Sequence, residues 1–163
     1  MTYLFDDIVP YVGTDTFKLG DNLESIRKVL KQNKVPFNQS VDPNKGCEPE
    51  IPWTYIELDD SITLCFAKDV LFEMVFENRF EGKLNNGVHI GTDMSEVKRV
   101  DDTLEYNDDD EDFISKQGYW IVDDIDTGKV NTITVFLPEV DEPDFFKYEW
   151  VEKYLKRSKE ERS

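Results

Sequence analysis

The sequence is short of the residue types from which most active sites are built. It holds one histidine, His89, and two cysteines, Cys47 and Cys65, among 163 residues. A single histidine excludes a multi-histidine metal site and nearly excludes a histidine-based triad. His89 is the middle residue of the triplet "VHI", an alternating position that points it to solvent. No CxxC pair is present, and no glycine-rich loop could cradle phosphate. Cys47 lies in a polar loop and Cys65 in the apolar run "ITLCFA". One is expected exposed and the other buried, so no disulfide is expected. No cofactor is implied.

Positive charge is also scarce. There are 19 Lys and Arg against 36 Asp and Glu, a net charge of −17. That balance repels nucleic acid and anionic membrane and favours a basic partner, whose approach it would steer. The only basic cluster, Lys156, Arg157, Lys159 and Arg162, is diluted by Glu160 and Glu161. No run approaches the ~20 apolar residues that span a bilayer. The opening "MTYLFDDIVPYV" has no basic region of the kind that begins a secretory signal. These features together lead us to expect a cytoplasmic protein.

What the chain does have is core-forming material. Apolar residues make up 39% and aromatics 13%, enough for one folded domain over 1–163. Two stretches match at an offset of 71: "FKLGDNLESIRKV" (17–29) and "VHIGTDMSEVKRV" (88–100). In each, an apolar–polar–apolar triplet leads to a glycine and then a helix. Gly20 and Gly91 permit a positive-φ turn, and Asp21 and Thr92 are the expected N-caps. Leu23, Ile26, Val29 and Leu30 share one helical face, as do Met94, Val97 and Val100. The basic pairs Arg27–Lys28 and Lys98–Arg99 suit helix ends and need no ligand.

Strand-like runs follow each helix. After a polar loop (38–50) come "WTYIEL", "ITLCFA" and "VLFEMVFE", with "AKDV" as a hairpin turn. After the second helix come "TLEY", "FISKQGYWIVDD" and "KVNTITVFLPEV", with "DIDTGKV" as a turn. Residues 144–158 have helical periodicity, with Asp144 as cap and a frayed end. The expectation is an α+β fold. A mostly antiparallel sheet of about six strands carries helices on one face, from repeats at 17–80 and 88–140 plus a C-terminal helix. The plan resembles the small inhibitor folds built from tandem helix–meander units, such as the β-lactamase inhibitor proteins.

Catalytic templates do not fit. An EF-hand loop started at Asp108 puts Phe113 at position 6, where glycine is needed, and Tyr119 at position 12; one started at Asp124 has Gly128 at position 5. Nothing selects a carboxylate pair for glycoside hydrolysis. No catalytic or metal-binding residue is therefore assigned.

Negative charge is concentrated instead. Residues 101–126 hold eleven acids and one base, Lys116. Such clustering stores self-repulsion. Asp101 and Asp102 end the second helix, where acids oppose the dipole. Asp108, Asp109, Asp110, Glu111 and Asp112 form an unbroken acidic run. Asp123, Asp124 and Asp126 surround the later turn. With "FISKQGYWIVDD" as one strand, the last two groups stand roughly 30 Å apart. With Glu105 and Tyr106, these residues form a candidate protein-binding footprint. Nearby Phe113, Tyr119 and Trp120 divide between core and interface.

In overall character along its whole length, the chain resembles the immunity proteins of bacterial contact-dependent growth inhibition and related polymorphic toxin systems. That resemblance implies a non-enzymatic antitoxin occluding the active site of a basic toxin domain, an RNase or DNase, without contacting nucleic acid or membrane itself. The alternatives are an adaptor domain for a basic protein and, third, a carboxylate-dependent hydrolase.

Overall fold

Eight strands form one antiparallel sheet: β1 (Asn38–Asp42), β2 (Trp53–Leu58), β3 (Ile62–Ala67), β4 (Val70–Glu77), β5 (Glu105–Asn107), β6 (Asp112–Ser115), β7 (Tyr119–Asp124) and β8 (Lys129–Phe136). The helices are α1 (Leu23–Gln32), α2 (Met94–Val100) and α3 (Val151–Arg162). The computed structural model describes residues 2–43 and 51–162, with side chains described as far as Arg157; Cys47 lies outside them.

The sheet order is β1-β2-β3-β4-β8-β7-β6-β5. The last strand of each half lies at the centre, and each half runs outward as a meander. The turns before α1 and α2 make the same hydrogen bonds. Gly20 donates its N–H to Leu71 and receives the chain at φ +95°; Gly91 donates to Val130 at φ +93°. Leu71 donates to Asp21 O and Val130 to Thr92 O, while Leu23 and Met94 donate to Asp69 and Gly128. Each helix start is thus tied to the hairpin turn of its own half.

Cross-strand partners share a face of a sheet. One row runs Leu58, Ile62, Phe76, Ile133, Ile121, Phe113 and Tyr106. The next runs Ile56, Leu64, Met74, Val135, Tyr119 and Ser115. In β2, β3, β4, β8 and β7 these residues are buried, as is Ser115 in β6, whereas Phe113 is half-buried and Tyr106 exposed. Leu23, Ile26 and Leu30 of α1, Met94 and Val97 of α2, and Val151 and Tyr154 of α3 join the same apolar cluster. This is the core face. At ~1.5–3 kcal/mol per fully buried large aliphatic or aromatic side chain, it is the dominant stabilising element.

Several expectations are corrected. The sheet has eight strands, not about six. β1 ("NQSVD") is polar and exposed along most of its length, so it lacks the alternation that marks a half-buried strand. "FISKQGYWIVDD" is two strands: Lys116, Gln117 and Gly118 form a turn, with Gly118 at φ +99°. The N-caps are Asn22, whose side chain accepts from Glu24 N–H (2.9 Å), and Asp93. The side chains of Asp21 and Thr92 instead close the preceding turns, accepting from Lys18 N–H (3.2 Å) and His89 N–H (3.0 Å). The final helix starts at Val151 rather than 144 and extends to Arg162, because Phe145–Lys147 is a 3₁₀ turn and Tyr148 adopts φ 57°. His89 is half-buried, its Nδ1 2.8 Å from Ile90 O.

Candidate functional site: the acidic end of the sheet

The turn at 116–118 decides where the acidic groups stand. β6 runs away from the β5–β6 hairpin tip and β7 returns toward it, with Phe113 opposite Ile121. Continuing that register brings Asp112 opposite Val122, next to Asp123. The acidic run and the Asp123–Asp126 turn therefore sit at the same end of the sheet. The separation of roughly 30 Å expected for a continuous strand is wrong.

At the first tip, Asn107 organises the acidic run. Its side-chain oxygen accepts from Asp109 N–H (3.0 Å) and its amide donates to Asp110 Oδ2 (3.2 Å). Glu111 closes the turn at φ 54°. At the second tip, Asp124 Oδ1 accepts from Asp126 N–H (2.9 Å), and Ile125 between them is 91% exposed. Tyr106, 52% exposed, packs on Phe113 at 5.0 Å between ring centroids. Partial desolvation and then the charges of Glu111, Asp108, Asp123 and Asp112 hold its phenol above the ordinary value. Both tips thus act on one side chain. An open depression of about 440 Å³ beside the β5–β6 hairpin is lined by Glu105, Tyr106, Asn107, Asp108, Asp109 and Ile114.

Asp102, Glu105, Asp108, Asp109, Asp110, Glu111 and Asp126 are exposed, whereas Asp112, Asp123 and Asp124 are half-buried. Asp112 Oδ1 is shut from water and accepts no hydrogen bond. Burial and then the neighbouring Asp110 push its carboxyl above the usual range. Lys129 stands opposite Asp124 in the β7–β8 ladder, so the end is not wholly without cations.

Asp101 is the exception among the candidates. It is 1% exposed and faces inward. Its carboxylate accepts from Thr103 N–H (3.0 Å), Thr103 hydroxyl (2.6 Å), Ser115 hydroxyl (2.5 Å) and Tyr119 hydroxyl (2.5 Å). Burial alone would raise its carboxyl, but the donors from Ser115, Thr103 and Tyr119 outweigh burial and leave it below the ordinary value. The same hydroxyls hold the corrected turn: Thr103 Oγ1 accepts from Lys116 N–H (3.1 Å) and Ser115 Oγ from Gln117 N–H (3.0 Å). Asp101 is thus turned into the fold, where it holds the hairpin.

Among the described residues, no three His, Cys, Asp or Glu side chains are grouped to hold a metal ion, and no helix is long and apolar enough to cross a membrane. The part of this candidate surface that composition did not reveal is apolar. Ile114, Val122 and Ile125 are exposed beside the acidic tips, and the signal for the first two is their alternation with core residues. No protein-family model matches the chain, and no curated protein or solved structure is significantly similar to it.

Proposed function

We propose that this chain is a protein-binding inhibitor that engages a basic protein domain through the acidic end of its sheet. In the form that its likeness to immunity proteins favours, the partner is a nuclease toxin whose active site it occludes. The observation that carries this reading is the convergence of the two acidic tips around Tyr106. Clustered like charge weakens a fold by self-repulsion, and a chain needing charge only for solubility would disperse it. An exposed aromatic on one face of this end and exposed aliphatic residues on the other, each beside carboxylates, have the anatomy of a protein interface. A toxin's nucleic-acid site is basic because it neutralises phosphates. An acidic surface of this kind would occupy it by mimicking the polyanion, without nucleic acid contacting this chain.

Co-expression tests the reading. The chain should restore growth to cells producing the basic nuclease domain encoded beside it. A variant with Asp108, Asp109 and Asp110 changed to Asn and Glu111 to Gln should restore it less. A neighbouring gene encoding no toxin, or full protection by the variant, contradicts the reading.

A further inference from the structure

The sheet has a second face that α1 and α2 do not use, and only its Trp53 end is seen packed by the C-terminal segment, through Phe145 and Tyr148. One cross-strand row on it runs Glu57, Thr63, Val75, Thr134, Trp120, Ile114 and Glu105. A second runs Tyr55, Cys65, Glu73 and Phe136, and a third runs Glu77, Thr132 and Val122. These three rows contain four carboxylates and no lysine or arginine. Glu57 and Glu105 are exposed; Glu73 and Glu77 are half-buried. Glu73 is hydrogen-bonded to the Cys65 thiol, and burial pushes its carboxyl up. Among the described residues, no salt bridge pairs a cation with it.

The middle of this face is apolar. Trp120 stacks on Phe136 at 4.3 Å, and Tyr11 meets Phe136 edge-on at 5.9 Å. Tyr11 adopts φ 66° to place its ring there, a conformation unusual for a tyrosine. The ring lies where a side chain at residue 118 would stand, since a Cβ on Gly118 would come within 2.5 Å of it. Ile114 and Val122 flank Trp120, each 37% exposed. The face is therefore an apolar band, Tyr11–Phe136–Trp120 with Ile114 and Val122, bordered by carboxylates.

From this juxtaposition, and resting on the binding function proposed above, we infer that the part of the sheet face opposite α1 and α2 around Trp120 is the docking surface. Its occupant is a basic protein element that presents aliphatic side chains between lysines or arginines. Charge complementarity selects that occupant. A second copy of this chain would bring an acidic face carrying Glu57, Glu73, Glu77 and Glu105 against another of the same sign, and like charges placed opposite repel. A purely cationic ligand would leave the apolar band in water. The acidic tips then steer the encounter, while the band around Trp120 holds the complex.

Two probes separate these roles: a leucine–lysine amphipathic peptide and an oligolysine of equal charge, each titrated into isotopically labelled protein and followed by NMR. The amphipathic peptide should shift the amides of Ile114, Trp120, Val122 and Val75. The double variant Ile114→Ser/Val122→Ser, with a native-like spectrum, should bind it about tenfold more weakly, equivalent to about 1.4 kcal/mol. Its affinity for oligolysine should be unchanged. Shifts confined to the tips at 108–111 and 124–126, or equal binding by the double variant, overturn the inference while leaving the charge-based reading standing. Failure of both probes to bind overturns both. Sedimentation showing dimers that the double variant abolishes would make a second copy the occupant and would also overturn it.

Discussion

The phenol of Tyr119 donates to the buried carboxylate of Asp101 at 2.5 Å and accepts from Asn86 Nδ2 at 3.1 Å. Three separate segments, the end of α2, the loop at 86 and strand β7, are thereby joined around one negative charge. A buried carboxylate with four donors is stabilising as a set, but removing its charge leaves those donors without a matched acceptor. Asp101→Asn is expected to lower stability by about 3 kcal/mol, measured by urea unfolding. Asp102→Asn, its exposed neighbour, should stay within about 0.5 kcal/mol of the parent.

The same network sets a pH signature at each extreme. The folded-state carboxyl of Asp101 lies below its ordinary value, so its contribution is present above about pH 3.9 and is lost as pH falls through the folded-state value. The Tyr119 phenol is pushed up to about 12, by burial and then by Asp101. Its contribution is intact below about pH 10 and is lost as pH rises through the folded-state value. Tyr55 is also raised to about 12, and the phenols of Tyr154 and Tyr106 are raised as well, so four phenols contribute to the alkaline fall. Tyr119→Phe should flatten the alkaline fall in melting temperature between about pH 10 and 12 without abolishing it.

Glu73 has the opposite sign to Asp101. Burial raises its carboxyl, so the folded state favours the neutral acid and is weakened as pH rises through the folded-state value. Glu73→Gln should melt higher than the parent at pH 8, and the difference should vanish near pH 4. Retention of a destabilising carboxylate on the open face is consistent with a binding role for it. An equal or lower melting temperature at pH 8 would remove that support.

The two helix-leading glycines differ in their surroundings. Gly91 has open space where a Cβ would go, whereas a Cβ on Gly20 would lie 2.7 Å from the Tyr154 ring and 2.8 Å from Arg157. Both need positive φ. Gly91→Ala should cost about 1 kcal/mol, the backbone penalty alone. Gly20→Ala should cost clearly more, because Tyr154 is buried and is held by Glu139, which accepts from its hydroxyl at 2.8 and 2.9 Å. Thermal melts of the two variants make the comparison.

Much of the architecture was legible in residue pattern. The Gly20 and Gly91 turns, the helices after them and the turn at Gly128 follow from backbone freedom and apolar spacing, which are local. β1 was not legible because all its residues but Val41 are polar, leaving no alternation to mark a strand. The 116–118 turn was overlooked because apolar residues on either side read as one strand, although Gly118 is a turn residue. Charge counting found the acidic end but could not show that Asp101 is buried, since a tally does not reveal that Thr103, Ser115 and Tyr119 surround it. The band at Tyr11, Phe136 and Trp120 joins residues far apart in the chain, and only the strand order brings them together.

The central claim is that the converged tips steer a basic partner. Stopped-flow association with that partner at low and high salt tests it most directly. The parent should associate far above the ~10⁵–10⁶ M⁻¹s⁻¹ of uncharged pairs at low salt and should slow steeply as salt rises. Changing Asp108, Asp109 and Asp110 to Asn and Glu111 to Gln should reduce the low-salt rate by about tenfold or more and flatten the salt dependence, with dissociation little altered. Neutralising Glu149 and Glu152, which are exposed and lie outside the tips, should do neither. Unchanged association rates for the tip variant at both salt concentrations would contradict the account.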